Sequence, residues 1–217
     1  MKKAILEFLE DKKAVLTDSH FIYTSGLHGS AYINMREVAH LTKFLSTIGR
    51  EMAHVIGHDG VDVVIGPETL GRTLAQFTAL GIKGHQAIWC EIVEEDGNKY
   101  ARFSEKLPFR KLIEGKRFGI VDDLLTTGSS IKLTAQLVRD YGGIPVIGVA
   151  AVRRTPDVVA ENCGVPELKV LADVPGFATY TQKECEDHGP CSRKVPVVLR
   201  PGHGWRWIED HPNYPTA

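Results

Sequence analysis

A mainly parallel β-sheet flanked by helices, an α/β fold, is the architecture predicted for this chain, on three observations. Apolar runs of strand length alternate with amphipathic stretches of helical period. Two of the runs end in a glycine-containing loop that opens a helix, and no run approaches the roughly 18 apolar residues of a membrane span. Strands covered on both faces read as continuous apolar runs, and ligands of such sheets sit at the strands' carboxyl ends. With 217 residues, 43% hydrophobic and 24% charged, the chain can bury a core without disulfide or metal staples.

The opening stretch, MKKAILEFLEDKK, reads as an amphipathic helix, because Glu7 and Glu10 break the apolar core that a secretory signal needs. Phe21 to Asn34 alternates aromatic and polar residues around Ser25-Gly26, the pattern of a β-hairpin. Leu41, Phe44, Leu45, Ile48, Met52, Val55 and Ile56 recur at helical steps, predicting a helix from about His40 to Gly57. Val61 to Ile65 is a strand between Gly60 and Gly66, and Leu70 to Leu80 the helix after it. A long polar stretch, Glu91 to Lys116, follows. The strand–loop–helix unit then returns: Phe118 to Val121 is apolar, Asp122 to Ser130 is a loop, and Ile131, Thr134, Ala135, Val138 and Tyr141 mark a helix closed by Gly142 and Gly143. Val146 to Val152 is a further strand, and after Leu171 the chain turns rich in Pro, Gly and Cys and reads as irregular. One domain over 1–217 is expected: an N-terminal helix and hairpin (1–39), an α/β core (40–175) and an irregular C-terminal segment (176–217).

Lys plus Arg number 26 against 27 Asp plus Glu, so the net charge of −1 offers a polyanion no overall field. Nucleic-acid and membrane partners are not expected, and the chain reads as cytoplasmic. Cys90, Cys163, Cys185 and Cys191 are too sparse for a disulfide framework. Cys185-x5-Cys191, with His188 between and His203 nearby, holds the residue types of a zinc site, but at a spacing that only a tight loop would bring together.

The chemistry concentrates in RFGIVDDLLTTGSS, residues 117–130. A helix N-terminus presents backbone N–H groups and partial positive charge, Gly128 lets the backbone come close to a ligand, and Thr126, Thr127, Ser129 and Ser130 add hydroxyls, all suited to a phosphate. Asp122 and Asp123 are wrong for phosphate and suit vicinal sugar hydroxyls or a hydrated Mg²⁺. A ribose bearing a 5-phosphate meets both demands; the plainer alternative is a solvated turn followed by a hydroxyl N-cap. A second loop, Gly66-Pro67-Glu68-Thr69-Leu70-Gly71-Arg72-Thr73, reads GxxxxGRT, close to a P-loop. Arg72 stands where a P-loop needs its Lys, and Pro67 removes a backbone donor, which weighs against an NTPase.

VDDLLTTGSS resembles the phosphoribosyl pyrophosphate (PRPP) motif of type I phosphoribosyltransferases, and the hairpin HFIYTSGLHGSAYINMR resembles the hood of their orotate branch, through Phe21, Ser25, Gly26, Ser30 and Tyr32. The resemblance covers roughly Ala14 to Pro196. It implies the type I phosphoribosyltransferase fold with an N-terminal β-hairpin hood, transfer of phosphoribose from PRPP to orotate, Mg²⁺ as cofactor and a homodimer. It assigns Asp122 and Asp123 to the ribose hydroxyls and, through water, the metal, and Leu125 to Ser130 (Leu125, Thr126, Thr127, Gly128, Ser129, Ser130) to the 5-phosphate. Thr69, Leu70, Gly71 and Arg72 fall to the pyrophosphate, and Phe21, Ser25, Gly26 and Arg154 to the base. Basic residues between 91 and 116 serve catalysis in the family, which makes Lys99, Arg102, Lys106 and Arg110 the candidates here. Two positions depart from the pattern: Thr24 stands where many members carry a Lys, and Arg153 where they carry an Asp, which predicts extra positive charge beside Arg154. A purine enzyme and a non-catalytic PRPP-binding regulator are the rival implications; neither a basic patch nor a spare helix-turn-helix supports the regulator.

Overall fold

A computed structural model describes residues 2–217 except Thr24, His58, Asp59, 83–85, 105–108, Pro156, Pro175, Gly176 and the side chain of Arg110. In chain order the elements are α1 (Lys2–Asp11), β1 (Val15–Leu16), β2 (Phe21–Ile22), β3 (His28–Gly29), β4 (Tyr32–Ile33), α2 (Thr42–Ile56), β5 (Val63–Pro67), α3 (Leu70–Ala79), β6 (Ala87–Glu95), β7 (Asn98–Arg102), β8 (Arg117–Leu125), α4 (Ser129–Asp140), β9 (Ile144–Arg153), α5 (Ala160–Cys163), β10 (Leu168–Asp173), β11 (Thr179–Tyr180), α6 (Gln182–His188) and α7 (Gly204–Asp210). They divide into two compact units, Val38–Asp173 with the first two residues, and Lys3–Glu37 with Val174–Ala217.

The larger unit is built on a six-stranded sheet in the order β10-β9-β8-β5-β6-β7, parallel throughout except for β7, which runs antiparallel along β6. The mainly parallel α/β architecture expected from the periodicity is therefore the one observed. Val63, Ile65, Ile88, Phe118 and Ile120 are at most 1% exposed, as strands with helices on both faces require. α3 packs on β5 and β8, α4 on β8 and β9, and α2 against α3. From β5 the chain moves to β6 on one side and then crosses to β8 on the other. The boundary between β5 and β8 is thus the point where strand order reverses, and the crevice beyond their carboxyl ends is where such sheets take ligands.

Three expectations change. Asp122 and Asp123 belong to a strand, not a loop, because β8 stays paired with β9 as far as Leu125 opposite Arg153. The polar stretch after Glu91 begins inside a hairpin: β6 and β7 are joined at Asp96-Gly97, both at positive φ (51° and 77°), the two-residue turn that an Asp-Gly pair favours. The C-terminal segment expected to be irregular carries two helices. One of them, α6, starts with a capping box, in which the Thr181 hydroxyl accepts from the Glu184 N–H at 3.3 Å and the Thr181 N–H donates to the Glu184 carboxylate at 2.7 Å.

The smaller unit joins that segment to the N-terminal hairpin. β11, β3 and β2 form an antiparallel sheet, β1 pairs with β4, and Val197 bridges alongside His20. Phe21, Ile22 and Ile33 supply its apolar interior with Ile5 and Leu9 of α1. No described helix is long and apolar enough to cross a membrane.

Candidate active site at the carboxyl ends of two central strands

Both sequence-predicted loops leave the sheet at the reversal point. Gly66 and Gly71 face each other so closely that a Cβ on Gly66 would stand 2.0 Å from the Gly71 carbonyl oxygen, while one on Gly71 would meet the Pro67 ring at 2.8 Å and the Val121 carbonyl oxygen at 3.2 Å. The loop after β5 is therefore folded on itself and laid against the end of β8. That packing, with Arg72 in place of the P-loop Lys, weighs further against an NTPase. Thr69 stands at the N-cap of α3, Leu70 and Gly71 are buried in its first turn, and the Glu68–Thr69 peptide is cis. Arg72 is half exposed. Its guanidinium lies 3.3 Å from Glu68 and 4.2 Å from the centre of the Trp89 ring, so a carboxylate and an aromatic face fix its direction.

Asp122 with residues 124–131 lines a concave pocket at the end of β8. Gly128 is the N-cap of α4, left-handed at φ 80°, ψ 0°, and has no side chain with which to cap the helix. The hydroxyl cap weighed above is therefore not the arrangement at this helix start; the Thr127 hydroxyl makes one long contact, 3.4 Å, from the Ser129 N–H. A helix N-terminus whose cap is glycine presents its dipole and N–H groups to the pocket. A Cβ at Gly128 would press on the Cys163 sulfur at 2.8 Å, so contact on its outer side and the left-handed backbone both demand glycine.

Asp122 is 7% exposed and accepts the Asp123 N–H at 2.9 Å; Asp123 is half buried. Burial first, and then the adjoining Asp123 carboxylate, raise the Asp122 pKa well above the ordinary carboxylate range. Of the two acids only Asp122 lines the pocket, and a buried carboxyl there calls for a donor or a cation in the ligand, while the glycine-capped helix start that lines the same pocket calls for an anion.

Arg154 follows β9, and its backbone N–H donates to the Leu125 carbonyl at 2.9 Å, which places it beside the loop that opens α4. Arg153 brings no loose charge there: its guanidinium is 2.6 Å from Asp173 and 3.1 Å from the Val158 carbonyl, so the extra positive charge expected at this position is paired within the sheet. Lys99 and Arg102 lie on β7 and face Glu94 and Glu91 of β6 directly, at 3.5 and 3.2 Å. Lys106, the Arg110 side chain and Thr24 lie outside the described residues. Phe21, Ser25 and Gly26 belong to the smaller unit. There Phe21 is 1% exposed with its ring 5.4 Å from that of Tyr32, Ser25 is on the surface, and Gly26 takes φ 78° in the turn closed by its N–H to the Tyr23 carbonyl. Sequence reading named Arg72 but missed Glu68 and Trp89, which orient it; the four-residue spacing from Glu68 to Arg72 was the available signal.

Twin loops at a sheet reversal, one preceded by paired acids and opening a glycine-capped helix, are the arrangement expected of a phosphoribosyltransferase. Residues 34–161 match the phosphoribosyl transferase domain, and the chain belongs to that family. An orotate phosphoribosyltransferase of Caldanaerobacter subterraneus subsp. tengcongensis is 32% identical over 201 residues, 93% of this chain and 97% of that protein. Among solved structures, the orotate phosphoribosyltransferase of Aeropyrum pernix superposes with a TM-score of 0.63 at 24% identity, over 85% of this chain and 98% of that one. The adenine phosphoribosyltransferase of Thermoanaerobacter pseudethanolicus does so at 0.58 and 19%, over 78% and 99%. Fold similarity of this order spans pyrimidine and purine enzymes and does not select the base.

Two outcomes follow from this geometry. Because the folded-state pKa of Asp122 lies above its unfolded value, its contribution to stability is present at low pH and is lost as pH rises through the folded pKa. Asp122→Asn should therefore melt above the unmodified chain at pH 8, with the gap closing on acidification, as thermal melts across pH will read. Gly128→Ala should lose about 1–2 kcal/mol from the left-handed backbone alone, before the contact with Cys163, in denaturant titrations.

Proposed function

We propose that the chain is an orotate phosphoribosyltransferase, moving the 5-phosphoribosyl group of PRPP to orotate and yielding orotidine 5′-monophosphate and pyrophosphate. The observation that carries the choice of base is the similarity to an orotate enzyme along nearly the whole of both chains. In this reading the ribose hydroxyls donate to Asp122 and Asp123, and the 5-phosphate accepts from the Leu125–Ser130 loop and the α4 N-terminus. Thr69 to Arg72 hold the pyrophosphate, and Arg154 pairs with the orotate carboxylate as a two-pronged donor. Lys99 and Arg102 are the further cations for the departing pyrophosphate, exchanging Glu94 and Glu91 for it. Of the hairpin residues expected at the base, Ser25 and Gly26 are exposed and keep that assignment, whereas Phe21 is packed in the interior against Tyr32. We also take the enzyme to be a cytoplasmic homodimer.

The acids fit Mg²⁺ by donor type: hard carboxylate oxygens, one of them on a half-exposed residue, suit a cation that keeps most of its water. Bound there, Mg²⁺ would neutralise charge on the PRPP oxygens. The remaining catalysis is positioning and electrostatics. The bond from the anomeric carbon to pyrophosphate breaks as the bond to the base nitrogen forms, and the chain's task is to align the two and steady the charge that leaves.

Turnover of PRPP with a panel of free bases, read as pyrophosphate release, tests the activity; orotate should be used and adenine should not, and the reverse would transfer the assignment to a purine. Arg154→Ala should raise the KM for orotate about tenfold or more, the worth of a hydrogen bond to a charged group, and leave that for PRPP nearly unchanged. PRPP with Mg²⁺ should raise the melting temperature well above what equal ATP with Mg²⁺ does, a hundredfold excess over Kd being worth about 2.7 kcal/mol. That shift should vanish in Thr127→Ala.

A further inference from the structure

Within the smaller unit, His20, His28, Cys185 and Cys191 converge in the interior, all four buried. One ligand-capable atom from each lies within 4.8 Å of all the others. The hairpin brings the histidines together. Ile22 pairs with His28 across β2 and β3, and His20 lies two residues before Ile22, so both imidazoles project from the same sheet face. α6 and the turn after it bring the cysteines together: the Cys191 N–H donates to the Cys185 sulfur at 3.2 Å. That turn is tight enough that a Cβ on Gly189 would stand 2.7 Å from the Cys185 Cα and 3.0 Å from its sulfur. The five-residue spacing, too wide for an ordinary zinc loop, is thus closed by glycine.

We propose that these four side chains bind a structural Zn²⁺ that fastens the N-terminal hairpin to the C-terminal segment. Zn–N bonds of ~2.0–2.1 Å and Zn–S bonds of ~2.3 Å at tetrahedral angles require ligand separations of about 3.3 Å between nitrogens and about 3.5 Å between nitrogen and sulfur. The observed separations are 3.0 Å from His20 Nε2 to His28 Nδ1, and 3.3, 3.6 and 3.8 Å for Cys191–His28, Cys191–His20 and Cys185–His20. The other nitrogen of His20 lies 3.2 Å from the Val195 carbonyl, the outer-sphere contact that fixes a ligating tautomer with Nε2 turned inward. His28 Nε2 is buried and has no hydrogen-bond partner among the described residues, so the polar contacts of that ring are on the cluster side. Two thiolates neutralise a divalent cation, and two neutral imidazoles complete a closed set of protein ligands with no position for water, which is the character of structural zinc. Trp207 and Tyr214 wall the site, their rings 5.4 Å from His28 and 5.7 Å from His20. The sequence pattern pointed to His188 and His203 instead. His188 is exposed and lies against Tyr180, and neither belongs to the cluster.

The test is elemental analysis of the full chain purified without chelator and reconstituted with Zn²⁺. The expected result is one zinc per chain, lost in Cys191→Ser and His28→Ala and kept in His188→Ala. Because the first two variants could fail to fold, the unmodified chain supplies its own readouts. Cobalt substitution should give the intense visible bands of a tetrahedral thiolate site. Removing zinc should lower the melting temperature and open Cys185 and Cys191 to alkylation while Cys90 and Cys163, buried in the other unit, stay protected. An unmodified chain that takes up no stoichiometric zinc, a Cys185–Cys191 disulfide in mass spectra of the purified protein, or equal metal loss in His188→Ala would each overturn the proposal.

Discussion

The parallel pairing of β5 with β8 is the contact on which the site depends. Ile65 lies opposite Ile120, and a few residues further on Gly71 packs against the Val121 carbonyl. Neighbouring parallel strands end on the same edge, so the helices that follow them begin on that edge. A side chain at Gly66 or Gly71 would push the first loop off the end of β8.

Charge is arranged around that constraint with counter-ions already in place. Arg72 holds Glu68, Arg153 holds Asp173, and Lys99 and Arg102 hold Glu94 and Glu91. Asp122 is the contrast, a carboxyl whose burial and acidic neighbour penalise its ionised form. A cost of that kind is sustained where the ligand relieves it, and ribose hydroxyls or a hydrated cation would do so. In the proposed reading, stability and binding would oppose each other at this residue.

What could be read from sequence followed the range of the interactions involved. The helices around Phe44 and Val138, the strands at Val63 and Phe118, and the glycine loop that opens α4 are specified by neighbours a few residues apart, and each was legible. β8 was read too short because what extends it is pairing with β9, which no local pattern records. β6 was missed because its alternating, half-exposed burial looks like polar chain, the Asp96-Gly97 turn being the overlooked clue, and β10 because only two of its six residues are buried. Cys185 and Cys191 were picked out as a pair, but their histidine partners were sought nearby in the chain. In space they come from a hairpin more than 150 residues earlier, which chain distance could not reveal.

The division of the chain also bears on how the molecule is made. Val38–Asp173 is one uninterrupted stretch, so its sheet can complete while the ribosome is still adding the C-terminal segment. The smaller unit draws on both ends of the chain, and Val197 beside His20 and β11 beside β3 can pair only after those last residues emerge. The N-terminal hairpin is thus the first strand pair synthesised and among the last to be completed. A message truncated after residue 173 would leave its edges exposed however well the sheet of the larger unit had formed.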